Sequence, residues 1–174
     1  STLGPALMGA STAEVISGTI EYRGDDISDW RTDERAKAGM FLTFQHPQPV
    51  PGVSVLQLLS QSLAARKSVD LSAPELRVAI QDWITRFDMD PSFVDRHLDG
   101  DFSVGERKCN ELMQMAILEP EVAILDETGA DLDAQTVRTV ARGIHEVRLD
   151  NPDIGLLLIS PQQRLITEVA PDHI

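Results

Sequence analysis

This 174-residue sequence predicts an α/β fold built on a parallel sheet, and three observations predict it. Residues 122–125 and 156–159 are short runs of wholly apolar residues, unbroken rather than alternating, as expected for strands buried on both faces. Helical apolar spacing precedes and follows the first run and leads into the second, which supplies the crossovers that parallel strands need. The first run ends abruptly in Asp126-Glu127, and open α/β sheets bind their ligands at such carboxyl ends of strands.

Composition narrows the function classes. The chain is 42% hydrophobic and 25% charged, an ordinary balance for a chain able to bury one good core. Fifteen Lys and Arg against 28 Asp and Glu give a net charge of −13, so the averaged surface field repels nucleic-acid phosphates and anionic membranes. A protein partner or a metal-chelated ligand suits that field better, and no nucleic-acid partner is expected. Cys109 is the one cysteine, which precludes an intramolecular disulfide and a thiolate metal site of its own. No apolar run nears the roughly 20 residues of a spanning helix, so direct membrane insertion is not expected. With no basic-then-apolar start, the expected location is the reducing cytoplasm.

Taken in order, Leu3, Ala6 and Leu7 give an apolar helical face over one or two turns, so a helix is under way at the start. Gly18 and Gly24 bracket Thr19-Ile20-Glu21-Tyr22, whose alternation suits a short, half-exposed strand. Residues 40–44 are β-prone and apolar, and Gln45 follows at the mouth of a loop stiffened by Pro47, Pro49 and Pro51. Ser54 with Gln57 forms a capping box for a helix lined by Leu56, Leu59 and Leu63. Ser72 with Glu75 repeats the device ahead of Leu76, Ala79, Ile80, Trp83, Ile84 and Phe87, the clearest amphipathic helix in the chain. Asp90-Pro91 can start a further short helix carrying Phe93, Val94 and Leu98, since proline is tolerated in a first turn.

A third capping box, Ser103 with Glu106, opens a helix with Leu112, Met113, Ala116 and Ile117 inward until Pro120 stops it. The first buried strand follows. Asp133 then caps a helix with Val137, Val140, Ala141, Ile144 and Val147 on one face, ended at Asn151-Pro152. The second strand leads to Ser160-Pro161 and a helix over about 162–169. The expected organisation is a single domain over residues 1–174, with a helical subdomain at about 54–120 inserted in a core of 1–53 and 121–174.

Chemistry concentrates after the first buried strand. Asp126 can hold Mg²⁺, usually through its waters, while Glu127 accepts a proton from an attacking water. The plainer reading of the same residues is a solvated acidic turn. Equally, Ser103 and Glu106 are an ordinary capping box whatever else they do, and Gln45 alone is a loop residue.

The order of these features resembles the ABC-type ATPases, and within them the SufC-type ATPase of iron–sulfur cluster assembly. Ser1-Thr2-Leu3 resembles the end of a phosphate-binding loop, Gln45 the Q-loop, and Phe102-Ser103-Val104-Gly105-Glu106 the signature motif. Residues 122–127 resemble the Walker B strand, and Leu132-Asp133 the end of the D-loop. The SufC-type likeness rests on Phe44-Gln45-His46-Pro47, Pro51-Gly52-Val53-Ser54, Gln114-Met115-Ala116 and Leu118-Glu119-Pro120-Glu121, and extends to Gln163-Arg164-Leu165-Ile166 and Pro171-Asp172. The resemblance implies a P-loop NTPase-like ABC nucleotide-binding domain with a parallel sheet core and an inserted helical subdomain. It implies ATP and Mg²⁺ as ligands, an ATP-dependent homodimer, and SufB- or SufD-like scaffold partners docking around residues 45–63.

The resemblance also assigns roles. Glu127 is the implied catalytic base, Ser1, Thr2 and Gln45 contact nucleotide, and Ser1, Gln45 and Asp126 serve the metal. Ser103, Gly105 and Glu106 form the signature that reaches the partner subunit's nucleotide, and Asp133 belongs to the D-loop. The sequence departs from the family pattern in four places. No Gly-rich loop with its Lys precedes Ser1, Val104 stands where the signature has Gly, Ala130-Asp131 replaces Ser-Gly, and Pro161 stands at the switch-His position. The family fold also extends past both ends of these 174 residues. These departures motivate the alternative of an ABC-like interaction subunit without ATP turnover. A third reading takes Ser1 or Thr2 as an N-terminal nucleophile activated by the α-amine.

Overall fold

The computed structural model describes residues 1–13, 15–44, 49–67, 72–98, 102–127 and 132–174. Its centre is a parallel sheet of β3 (Met40–Thr43), β6 (Val122–Asp126) and β7 (Gly155–Ile159), in the order β3-β6-β7. The register pairs Thr43 with Leu125 and Asp126 with Ile159, so the ends of the three strands lie together. These strands bear out the expected fold class.

Side chains alternate across a strand, and β6 therefore serves two cores. Ala123 and Leu125 pack into the larger core, with α3 (Val55–Lys67), α4 (Ala73–Arg86), α5 (Val104–Leu118), α6 (Ala134–Asp150) and α7 (Gln163–Val169). Ile124 faces the other way, against Met8, Ile27 and Met40. That side is covered by α1 (Leu3–Leu7) and by residues around Ile27 and Trp30. The same parity puts Asp126 on the α1 side, and this is what brings it to Ser1.

The helices begin as their capping residues dictate. Ser54 and Gln57 bond reciprocally through Ser54 N–H to Gln57 Oε1 and Gln57 N–H to Ser54 Oγ. Ser103 and Glu106 do the same at the start of α5. At α4, Glu75 accepts from both the N–H and the hydroxyl of Ser72. Leu112, Met113 and Met115 of α5 are fully buried, each contributing about 1.5–3 kcal/mol of transfer free energy.

Several elements differ from expectation. The segment after Asp90 is a 3-10 turn, Pro91–Asp95, not a helix reaching Leu98; Leu98 lies in β5 (His97–Leu98), paired antiparallel with β4 (Val50–Ser54). β4 runs through Pro51 and Gly52, which read as loop in sequence; Gly52 takes φ +77° at the irregularity in that pairing. Of the expected strand at residues 19–22, Glu21–Tyr22 forms β1, paired with β2 (Asp25–Asp26).

Helix α2 (Thr32–Ala38) has no counterpart in the sequence reading, because its one fully inward residue is Arg35 rather than an apolar stripe. Arg35 is 1% exposed and its guanidinium donates to five backbone oxygens, those of Ala6, Leu7, Ile27, Ser28 and Trp30. Two of these lie at the C-terminal end of α1, where a cation also meets the negative end of the helix dipole. Gly9 passes beside this group at φ +65°, where a Cβ would sit 2.8 Å from the Trp30 oxygen.

Candidate functional site

Three of the expected site residues meet where β6 ends. Ser1 Oγ donates to Asp126 Oδ2 at 3.0 Å, and the Ser1 amino group donates to Glu127 Oε1 at 3.0 Å. Asp126 is 3% exposed, and among the described residues its Oδ1 accepts no hydrogen bond, its near neighbour being the Ser1 nitrogen at 3.5 Å. Its N–H donates to Thr43 Oγ1 at 3.0 Å, tying it to the end of β3. Gly4 of α1 permits the close approach: a Cβ there would lie 2.8 Å from Asp126 Oδ2.

Glu127 is the first residue past β6 and takes φ +51°, a left-handed conformation that an L side chain rarely adopts. Its N–H donates to Ile159 O at 2.7 Å, so the turn is fastened to the end of β7. Strain of this kind persists where surrounding structure over-determines it, and it clusters at functional sites. Thr2, which precedes α1, makes no side-chain capping bond.

A buried carboxylate with one unbonded oxygen beside a serine hydroxyl fits a divalent cation. Among the described residues no group of three His, Cys, Asp or Glu could enclose a metal alone. That agrees with Mg²⁺, which is usually bound by one or two carboxylates together with substrate phosphates. Ser1 and Asp126 are the described residues suited to it. Gln45, the third expected metal residue, lies outside the described residues, as do the departures Ala130 and Asp131.

Ser103, Gly105 and Glu106 form the first turn of α5. Hydrogen bonds from Ser103 and Arg96 hold the Glu106 carboxyl below its ordinary pKa, although burial alone would raise it. Arg96 also lies over the ring of Phe102, 4.5 Å from its centroid. A Cβ on Gly105 would sit 3.3 Å from Thr136 of α6. Thr136 in turn donates to Asp133, which caps α6 by accepting from Gln135 and Thr136 N–H. The first turn of α5 and the Asp133 turn are therefore neighbours. Val104 is 44% exposed at the tip of α5, and Pro161 is exposed where β7 ends.

Two charged residues went unnoticed in the sequence. Lys108 and Glu111, on the inward side of α5, are 4% and 5% exposed and paired at 2.9 Å. Burial raises the Glu111 carboxyl, with Lys108 pulling against it. The available signal was their spacing: Lys108 falls four residues before the inward Leu112, and Glu111 three after Lys108. Beside them lies a cavity of about 420 Å³ lined mainly by apolar side chains, among them Phe41, Phe44, Val50, Leu58 and Phe102. Asn110, also at its wall, is 6% exposed and has a buried Oδ1 without a hydrogen bond.

Among the described residues no helix is long and apolar enough to cross a membrane. Residues 1–130 match the family model described as ABC transporter. The chain is 40% identical over its whole length to a probable ATP-dependent transporter, slr0075, of Synechocystis, covering 69% of that protein. It is 36% identical to vegetative protein 296 of Bacillus subtilis over 99% of this chain and 66% of the relative. The chain thus spans about two thirds of the length of these curated relatives. Among solved structures, dimeric MJ0796 in a post-hydrolysis state with ADP and phosphate aligns with a TM-score of 0.78 at 14% identity, over 96% of this chain and 72% of that one. A nucleotide-free ATP-binding cassette aligns at 0.70 and 20% identity, over 97% of this chain and 68% of that one. At such identities the structural likeness bears on the fold alone. The family match and the 40% relative bear on descent, and by them the chain belongs to the ABC transporter family.

Proposed function

We propose that this chain is the ATP-binding and hydrolysing part of a SufC-type ABC ATPase that serves iron–sulfur cluster assembly on a SufB- or SufD-like scaffold. The observation that carries the ATPase reading is the hydrogen bond from Ser1 Oγ to the buried Asp126 at the end of β6, with Glu127 the next residue. The finer SufC-type assignment rests on the sequence likeness at residues 44–47, 51–54, 114–116 and 118–121. Relatives named ATP-dependent transporters support the coarser class.

In this reading Ser1 Oγ and Asp126 would hold Mg²⁺, which would supply positive charge to offset that of the phosphates. Glu127, past the strand end and partly exposed, takes the proton of the attacking water. Thr2 faces phosphate. Two copies pair head to tail, so that the first turn of α5 in each reaches the other's γ-phosphate. That turn offers free N–H groups and a helix dipole, which favour an anion. Ser103 adds a hydroxyl, and Gly105 keeps the helix start slim beside Thr136.

The scaffold docks around residues 45–63, which follow β3 in the chain. The apolar cavity between β3, β4 and α5 supports that placement. Copurification with a SufB- or SufD-like scaffold should be lost when Val50 and Leu58 are replaced by Asp; unchanged copurification refutes the docking claim.

A second reading, an ABC-like interaction subunit without turnover, is favoured by Pro161, which has neither an imidazole nor an N–H to offer phosphate. One experiment separates the two. ATP turnover by the protein encoded by the full gene should fall at least about 100-fold in Glu127→Gln, the loss expected on removing a general base. No turnover in the parent, with ATP-dependent partner binding retained, establishes the second reading instead.

A further inference from the structure

The residue that follows β3 is held by its backbone rather than by its side chain. Phe44 is 61% exposed, yet its N–H donates to Glu111 Oε1 at 2.7 Å and its carbonyl accepts from Lys108 Nζ at 2.7 Å. Lys108 and Glu111 also bond each other. Both peptide groups are thus clamped by one ion pair on α5. One residue earlier, Thr43 Oγ1 accepts the N–H of Asp126. A continuous line of contacts therefore runs from α5 through Phe44 and Thr43 to the metal-side carboxylate.

Net stability does not account for burying this pair, since replacing a buried ion pair with well-packed apolar residues is often neutral or stabilising. What a doubly anchored pair supplies is placement. Its two partners lie one turn apart on a rigid helix whose first turn carries Ser103, and packed elements shift as units rather than deform. We infer that Lys108 and Glu111 are positioning residues of the Asp126 site: they carry the placement of the Ser103-capped helix to the exit of β3 and, through Thr43, to Asp126. The inference rests on the reading of Asp126 as a metal residue for bound nucleotide.

The test uses the full gene product, its Lys108→Met/Glu111→Leu variant, and Lys108→Arg as the conservative control. Two quantities are read: amide hydrogen exchange at Phe44 and Asp126, and the Mg²⁺ concentration that half-saturates nucleotide binding. The apolar variant should keep its melting temperature, lose protection at both amides, and need about tenfold more Mg²⁺, the scale on which outer-shell partners act on a metal site. Its affinity for ATP in EDTA should be unchanged, and Lys108→Arg should restore the Mg²⁺ requirement. A merely structural pair would weaken both nucleotide affinities together. Unchanged exchange at Phe44 and Asp126, or lost protection with an unchanged Mg²⁺ requirement, overturns the inference. Should the double variant fail to fold, Glu111→Gln, which keeps an acceptor for Phe44 but removes the ion pair, decides by the Mg²⁺ requirement and the exchange at Asp126. A parent that binds no MgATP refutes the proposed function instead, and the clamp then stands or falls on the exchange measurement alone.

Discussion

Replacing Arg35 with Met should be the most damaging single change outside the candidate site. Its guanidinium is 1% exposed and bonds five backbone oxygens. Two of those oxygens keep another donor, Ala6 from Gly9 N–H and Ile27 from Trp30 N–H. The oxygens of Leu7, Ser28 and Trp30 rest on Arg35 among the described residues. Each of these partly buried acceptors, left without a partner, costs about 1–3 kcal/mol, and relief from desolvating the guanidinium offsets part of the sum. The net expectation is a loss of about 3–5 kcal/mol, three such acceptors each in the lower half of that range. For a chain of this size that lowers the melting temperature by about 6–20 °C, at about 2–4 °C per kcal/mol. Urea unfolding should show the same loss as a lower midpoint with an unchanged slope. Arg35→Lys should recover only part, because an ammonium offers three donors where the guanidinium offers five. A loss below about 1 kcal/mol in Arg35→Met would refute the assignment of these oxygens to Arg35, since that is the net worth of one ordinary hydrogen bond.

Gly4→Ala places a methyl 2.8 Å from Asp126 Oδ2; it should weaken Mg²⁺-dependent nucleotide binding about tenfold, by analogy with other perturbations of a metal ligand's support, and titration with and without Mg²⁺ checks it. Cys109 is 5% exposed and burial pushes its thiol up to about 11, so at pH 8 it should resist a thiol-reactive disulfide reagent in the native protein and react promptly in urea. Asp133 is held below its ordinary pKa by Thr136 N–H and hydroxyl and by Gln135 N–H. Because the unfolded chain takes up that proton first, the stabilisation is complete above roughly pH 4 and disappears as pH falls through the lower folded value. Asp133→Asn should flatten that acid limb of stability, measured by urea midpoint against pH.

Legibility in the sequence followed how each element is stabilised. β6 and β7 were readable because strands buried on both faces need continuous apolar runs. The starts of α3, α5 and α6 were readable because their caps are local chemistry, decided within four residues. Helix α2 was hidden because Arg35, reaching five backbone oxygens, two of them 28 and 29 residues away, does the work an apolar stripe usually does. β4 was hidden because Pro51 and Gly52 signal a loop, while its partner β5 comes from residues read as helix. In the site, Asp126 and Glu127 were legible from their place after a buried strand. Their convergence with Ser1 depends on which face of β6 meets α1, and the Lys108–Glu111 clamp depends on a tertiary contact with Phe44; neither is encoded in local spacing.

The central claim is that Glu127 of one copy works with Ser103 of another. Mixing two inactive variants of the full protein tests it directly. Ser103→Arg and Glu127→Gln should each abolish turnover alone. Mixed in equal amounts they should form one intact site in each heterodimer, because a two-fold pairing gives each copy both contacts. With half of the dimers mixed and one site of two intact, turnover should return to about a quarter of the parent's. Absence of any recovery, with MgATP-dependent dimers forming in the mixture, would contradict the account.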